Sequence, residues 1–438
     1  MKIFAIASGV PFKHHDQPGV TAVNIVEFEL LNALVGLGHQ ITLQIVFNSF
    51  RETETLGEKE EDALRDMRQL GVSILTPVFS KTYLGKKKSV SLFERIVGIA
   101  KRQFLGAKIE DYYPALRVRA LVCERIHASN ADSVLALWSP EGLASSHGCC
   151  VPRIAYQGDV DFMPAQAWLN NRALFLGDES GVRHQLNAWR RKRGLELFKQ
   201  AHFELMRDVD VIANVTASNV DVYSQRGHPR SIYIRNTWSD AGFQYREQAS
   251  GQTIKIIGHV GYLNRTGSTF GLKFLLADAV PLLPAAMRGL DYQVHIIGGG
   301  ELVPSLKSWA KQERVVMRGY VEDLDSELRS ADIFLLLNNA GSYYAAYTRH
   351  LVAWAMGSCL IVHSNSQKAI PEIAHMENAL VGSTPEDIAR MIYLAATDRE
   401  LNRRVRAGGR ATYEKYFTPH GVAQALSDEI ARAVSEKK

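Results

Sequence analysis

Two hydrophobic rhythms alternate along this chain. Short apolar blocks rich in Val, Ile and Leu read as buried strands, and longer stretches with apolar residues at three- and four-residue spacing read as helices. KIFAIAS is the first strand candidate, and a loop with Pro18 and Gly19 follows it. VNIVEFELLNALVGLGHQ then has helical spacing, with Gly38 where a helix would stop, and ITLQIVF is the next strand. Strand, helix, strand in that order is the opening of a parallel sheet. Residues from about 51 to 126 are charged and less regular, with VSILTPV as a strand candidate. ADSVLALW and VPRIAYQGD predict two more buried strands, and 167–206 predicts helix. DVIANVTASNVDVYSQRGH and SIYIRNTW restore the alternation. The polar run 239–253 reads as a linker, and a second array of strands and helices begins at 254.

At 438 residues the chain is long for one core, so two domains are expected: 1–238 and 254–417, joined by 239–253, with 418–438 as a closing helix. The fold class is α/β, with two Rossmann-like doubly wound domains facing a cleft. Ligands in such sheets bind beyond the carboxyl ends of the strands. The composition is 46% hydrophobic and 22% charged, ordinary for a globular protein. A net charge of +5 permits an anionic partner without demanding nucleic acid. Cys123, Cys149, Cys150 and Cys359 show no metal-ligand spacing, which suits a reduced, cytoplasmic setting. The segment MKIFAIASGVPFKHH reads as a buried strand, its apolar run being short for a signal peptide. No run approaches the roughly 18 apolar residues of a membrane helix. KTYLGKKKSVSLFERIVGIAKRQFLG combines Lys86, Lys87 and Lys88 with apolar residues at helical spacing. It would lie on an anionic membrane surface or be buried against the sheet.

The second array is the more distinctive. IIGHVGYLNRTGSTFGLKFL is followed by YQVHIIGGGE, then VVMRGYVEDLDSELRSADIFLLLN, then TRHLVAWAMGSCLIVHSNSQKAIPEI, then PEDIARMIYLAATDRELNRRVRAGGRATYEKYF. Pieces in this order resemble the nucleotide-sugar-binding half of retaining GT-B glycosyltransferases of the family-4 type, the glycosyl transferases group 1. GLGHQIT and SIYIRNTW, with Asn236 in an asparagine turn, resemble phrases of the family's first domain, although Ser239 stands where its aspartate is usual. The closing helix is expected to pack back across the first domain.

The resemblance implies a transferase, independent of metals and of any resident cofactor, that moves a sugar from a nucleotide-diphosphate sugar to a saccharide or lipid-linked acceptor. Polysaccharide or glycolipid assembly is the implied setting, in the cytoplasm or, if the basic segment meets an anionic membrane, peripheral at its inner face. Gly298, Gly299 and Gly300 would let the backbone approach the nucleotide, as a Cβ there would not. Gly319 would act near the base, and Gly19 and Gly258 near the phosphates. Arg265 and Arg349 would stabilise the departing diphosphate. Arg349 stands at a helix head, where the macrodipole disfavours a cation unless an anion is bound. Asp159 or Asp161, in the turn after VPRIAYQGD, would orient the acceptor hydroxyl or take its proton. Glu372 would contact the donor or cap a helix.

One departure stands out. Aligned on Ala353, Ala355 and Gly357, the family's Glu-x7-Glu pair falls on Tyr344 and Val352, neither a carboxylate. Either the donor hydroxyls are held differently here, with Tyr344 in the pocket, or the chain is a non-catalytic homologue that binds a nucleotide sugar or a partner glycosyltransferase. A nucleotide-sugar epimerase on the same fold is a further alternative. A nicotinamide dehydrogenase is disfavoured, because the first turn lacks GxGxxG. His14 and His15 alone make a poor metal site.

Overall fold

The computed structural model describes residues 1–13, 20–47, 54–80, 109–177, 182–240, 242 and 252–437, the side chains of 182–185 excepted. Gly19, His14, His15, the basic segment 81–106 and most of the 239–253 linker lie outside the described residues.

The first sheet contains β1 (Lys2–Ala7), β2 (Gln40–Phe47), β3 (Ser73–Ile74), β4 (Val78–Phe79), β5 (Ser133–Leu137), β6 (Arg153–Gln157), β7 (Val211–Asn214) and β8 (Ser231–Tyr233). Its order is β3-β2-β1-β5-β6-β7-β8, with β4 also on β2, and its described ladders are parallel. The second comprises β9 (Ile254–Val260), β10 (Tyr292–Ile297), β11 (Val315–Gly319), β12 (Ile333–Leu336), β13 (Leu360–His363) and β14 (Leu380–Gly382), in the order β11-β10-β9-β12-β13-β14. Each sheet reverses its winding once, between β1 and β5 and between β9 and β12. At such a point neighbouring loops leave in opposite directions and open a crevice.

The helices used below are α1 (Ala22–Gly36), α2 (Met163–Asn170), α3 (Arg172–Leu176), α4 (Val182–Met206), α5 (Thr266–Lys273), α6 (Thr348–Ala355), α7 (Arg399–Tyr416) and α8 (Pro419–Lys437). In α1 the Asn24 side chain reaches back to the Thr21 backbone N–H at 3.0 Å, satisfying a donor that the first turn leaves open. The helix stops at Gly38, whose φ of 84° a side chain would resist. The predicted VSILTPV strand is two short pieces, β3 and β4, and the predicted helix of 167–206 is three, broken after Asn170 and at Gly177.

α5 continues without a break to Ala286, a stretch of 21 residues with a mean hydropathy of 1.4 in its most apolar window. This is long and apolar enough to cross a membrane by composition, where the sequence pattern suggested no such run. Leu272, Leu275, Leu276 and Leu283 are fully buried against the second sheet, so the stretch is apolar because it is a core helix.

The two halves are joined in several places. α8 lies along α1, tied by His39 to Ser427 at 2.8 Å and by Lys437 to Asp210. Arg410 of α7 grips Asp240 with two bonds of 2.7 Å, which hold that carboxyl below its usual range. α2 and α3, from the first half, pack on α5 through Phe175 edge-on to Phe270.

Candidate active site

The carboxyl ends of both sheets face one crevice. From the second half, the turns after β9 and β10 are knitted together. Gly261 donates to Ile297, Leu263 to Gly299 and Gly298 to Gly319, all at 2.8–3.0 Å. Gly298 has a φ of 140°, and a Cβ there would overlap the Gly261 carbonyl. Gly298 is thus required first for the close approach of the two turns. Gly300 has a φ of 82° and Gly319 one of 65°, the latter in open space. Gly258 does not reach the crevice. A Cβ on it would press on Val294 and Leu275, so its smallness serves strand–helix packing.

Arg349, in the first turn of α6, crosses to the turn after β9. Its Nη1 donates to the Val260 carbonyl, and its guanidinium lies 4.8 Å from the Tyr347 ring centre. With the Asn338 amide oxygen turned toward it, Nη2 donates at 3.1 Å. None of these partners carries a charge. Burial pulls its pKa below the usual arginine value, and Arg349 remains a cation that no described carboxylate neutralises. Burial, with the Arg349 charge adding to it, pushes His259 down to about 3, so that imidazole is neutral. Its Nε2 and the Tyr347 hydroxyl have no hydrogen-bond partner among the described residues. The Tyr347 hydroxyl occupies the space a Cβ on Gly267 would need, at the first turn of α5. Arg265 precedes that turn, exposed and 5.6 Å from the Tyr262 ring centre. Two cations and a helix start therefore meet on one side of the crevice, an arrangement that attracts an anion.

Opposite stands the first half. Asp159, just after β6, accepts a hydrogen bond from the Tyr343 hydroxyl across the crevice. Burial raises its pKa to about 6, opposed by the Tyr343 bond and reinforced by Asp161. Asp161 accepts from Tyr113 Oη and His202 Nδ1, both at 3.2 Å, and His202 Nε2 meets Tyr223 Oη at 2.9 Å. These groups border a cavity of about 190 Å³ beyond the ends of β5 and β6, lined by Trp138, Ser139, Gln157, Asp159, Asp161 and His202 among others. Trp138 holds a φ of 43°, uncommon for a bulky side chain, and Gly158 lies in contact with its ring.

Tyr344 and Val352 occupy the positions of the expected carboxylate pair. Tyr344 is half-buried, its hydroxyl 3.4 Å from Lys368 Nζ, and Val352 packs at the edge of the main apolar core. Glu372 is turned away from the donor side, accepting from Arg235 Nε at 2.5 Å and Tyr233 Oη at 3.0 Å. Asn236 is buried and donates to the Ala346 carbonyl at 3.2 Å, and Thr216 accepts from the Ala346 N–H at 2.9 Å.

Sequence reasoning missed Tyr343, Tyr347, Thr216, Asn338 and the His202–Tyr113 pair. A usable signal existed for two of them: Thr216 and Asn338 are polar residues placed soon after apolar strands, where a crevice residue belongs. The tyrosines and His202 carry no local signal, because distant elements bring them in.

Residues 254–398 match the family model described as Glycosyl transferases group 1. No curated protein matches the chain in sequence. Among solved structures, sucrose-phosphate synthase from Thermosynechococcus elongatus is similar over all of both chains, at 12% identity and a TM-score of 0.61. Anabaena HepE, in complex with UDP-glucose, is similar over 99% of this chain and all of its own, at 11% identity and a TM-score of 0.57. The lipopolysaccharide outer core galactosyltransferase WaaB gives 11% and 0.57 over all of both chains. The chain therefore has the two-domain α/β fold of GT-B glycosyltransferases, and its second half carries a group 1 glycosyl transferase match.

Proposed function

We propose that this chain transfers a sugar, with retention of configuration and without a metal, from a nucleotide-diphosphate sugar to a hydroxyl acceptor. The observation that carries the reading is that Arg349, a cation whose described partners are neutral, and Asp159, a carboxylate of the opposite half, both act on the Tyr347 hydroxyl between them. The donor diphosphate would lie against Arg349, Arg265 and the first turn of α5. There the guanidinium groups would stabilise charge as the bond between the anomeric carbon and the phosphate oxygen breaks. The acceptor hydroxyl would enter from the Asp159 side and on the face the diphosphate leaves, so no protein nucleophile is required. Its proton would pass to Asp159 or to the departing phosphate oxygen. With a pKa of about 6, Asp159 is ionised at neutral pH and suited to accepting it. Since HepE is seen with UDP and UDP-glucose, uridine donors are the first to try.

A second reading is motivated by the crevice itself. Tyr343 closes on Asp159, and the Ala346 backbone is held by Thr216 and Asn236 of the other half. A non-catalytic homologue would tolerate such closure and the absence of the carboxylate pair. Thermal unfolding against UDP, GDP, ADP, CMP and dTDP and their sugar conjugates separates the two. A ligand at one hundred times its dissociation constant stabilises by about 2.7 kcal/mol. The transferase reading expects a shift with one nucleotide family, lost in Arg349→Ala and partly kept in Arg349→Lys, together with sugar transfer. No shift with any nucleotide would leave the non-catalytic reading standing.

A further inference from the structure

The cavity beside Asp159 is largely apolar, and the polar side chains on its wall are mostly hydrogen-bond acceptors. Asp161 receives Tyr113 and His202 on the same oxygen, Oδ2, which leaves Oδ1 uncommitted among the described residues. Asp159 receives Tyr343 on Oδ2 alone. Gln157 is 7% exposed, and its amide N–H is taken by the Asp159 carbonyl at 3.2 Å. Its Oε1 is a buried acceptor with no hydrogen-bond partner among the described residues, and Gln157 lines the cavity wall. Glu141 stands just behind, accepting from Ser8 Oγ at 2.8 Å and close enough to Asp161 for the two charges to repel. Against these, the Trp138 indole N–H is a donor without a partner among the described residues.

His202 Nδ1 lies 3.2 Å from Asp161 Oδ2 and 3.1 Å from Tyr113 Oη, and its Nε2 lies 2.9 Å from Tyr223 Oη, so the imidazole is held within its own side-chain network. The carboxylates on the cavity wall have no lysine or arginine beside them among the described lining residues. The nearest on α4, Lys199, is paired with Glu196 at 3.1 Å and lies over the Phe162 ring. The remaining wall is apolar, with Leu143, Leu205 and Met206 beside Trp138, which stacks on Tyr156 with ring centres 6.4 Å apart.

We propose that this cavity binds a primary ammonium group, and that the acceptor is a sugar carrying a free, unacylated amine. An ammonium has three donors and no acceptor, which matches Asp161 Oδ1, Asp159 Oδ1 and Gln157 Oε1. Its charge balances the carboxylates, and the indole face accepts either a cation or the apolar face of a sugar ring. At about 190 Å³ the space is below the roughly 300–1,000 Å³ of drug-sized sites and suits one ring. Acetylation would remove the charge, leave a single N–H and point a carbonyl oxygen at carboxylates, so N-acetyl sugars are excluded by the same geometry. That the amine is borne by a sugar rests on the glycosyl-transfer reading; that the cavity takes an ammonium does not.

The test is calorimetric titration of the full chain at pH 7.5 with methyl 2-amino and 4-amino hexosides, their N-acetyl forms, methyl glucoside and cyclohexylamine. At least one amino hexoside should bind about tenfold or more tightly than its acetyl and hydroxyl counterparts, the scale of a charge-assisted hydrogen bond. The preference should vanish in Asp161→Asn. Gln157→Met, which leaves the Tyr113–Asp161–His202 contacts in place, should weaken it several-fold, with near-ultraviolet circular dichroism confirming both folds. Cyclohexylamine binding as well as the hexosides would uphold the ammonium site and count against the sugar acceptor. Equal or tighter binding of the acetyl or hydroxyl forms, a preference that survives Asp161→Asn, or no binding at all would overturn the proposal.

Discussion

Asp159→Asn should make this protein more stable at alkaline pH while impairing its proposed chemistry. The Asp159 carboxyl has a pKa of about 6 in the folded chain against 3.8 when free, mainly because burial disfavours its charge. Below 3.8 the group is protonated in both states and contributes no pH dependence. Between 3.8 and about 6 the folded state holds a proton that the unfolded chain releases, so stability falls as pH rises through that window. Above 6 the full cost of a buried charge is present. The shift of about 2 units at 1.36 kcal/mol each sets an upper limit of about 3 kcal/mol. Because Asp159 borders a cavity and keeps some solvent access, about 1–3 kcal/mol is the reasonable range.

An asparagine retains an oxygen to accept from Tyr343 and carries no charge, so it keeps the cross-crevice bond and removes the penalty. Thermal unfolding of both proteins at pH 4, 5, 6, 7 and 8 reads the difference directly. At roughly 2–4 °C per kcal/mol for a domain of this size, the variant should melt about 2–12 °C higher at pH 8 and gain almost nothing at pH 4. If the variant melts lower at pH 8, the Tyr343 bond to the ionised carboxylate outweighs desolvation and the reasoning is refuted. A gain in stability accompanied by lost transfer is the usual mark of a group whose unfavourable placement serves function.

Two further substitutions probe how the crevice is held. Gly298→Ala would force a Cβ into the Gly261 carbonyl at a φ of 140°, and should cost about 1–3 kcal/mol and weaken nucleotide binding together; a melting temperature within a degree of the parent would show that the two turns can part freely. Glu372→Ala should cost about 1–3 kcal/mol, because it strands Arg235 and the half-buried Tyr233 hydroxyl, and nucleotide affinity measured by titration should be unchanged; a selective loss of affinity without loss of stability would instead return Glu372 to the donor site.

What the sequence revealed and what it hid follow from how local each feature is. β1, α1 and β2 were readable because burial on both faces of a parallel strand leaves an apolar block, and a helix covered by α8 keeps apolar residues at three- and four-residue spacing over most of its length. The glycine triplet was readable as a special turn, but its partner was not: only the folded chain shows Gly298 against Gly261. Gly258 illustrates the opposite limit. Its position in the motif suggests a ligand, and the structure surrounds it with Val294 and Leu275. Asp159 and Asp161 were equivalent in sequence. The fold divides them, sending one to Tyr343 across the crevice and the other to Tyr113 and His202 within its own half.

The replacement of two expected carboxylates by Tyr344 and Val352 gains a physical context from those same contacts. A carboxylate at 352 would sit at the edge of the apolar core, close to the uncompensated charge of Arg349, three residues earlier on the same helix. Valine leaves that cation available to an anion from outside. Acidic groups have not been lost from the crevice; they stand on the first half, as Asp159 and Asp161, with Glu141 behind them. The charge is therefore segregated, with cations on the half that would hold a diphosphate and carboxylates on the half that would hold an acceptor. Such a division favours a negative donor and a positively charged acceptor in one crevice and opposes their exchange. Swapping the signs, with Val352→Glu beside Arg349 and Asp161→Asn opposite, should weaken binding of both classes of ligand, and calorimetry with a nucleotide and an amino hexoside in turn would show whether the segregation is what sorts them.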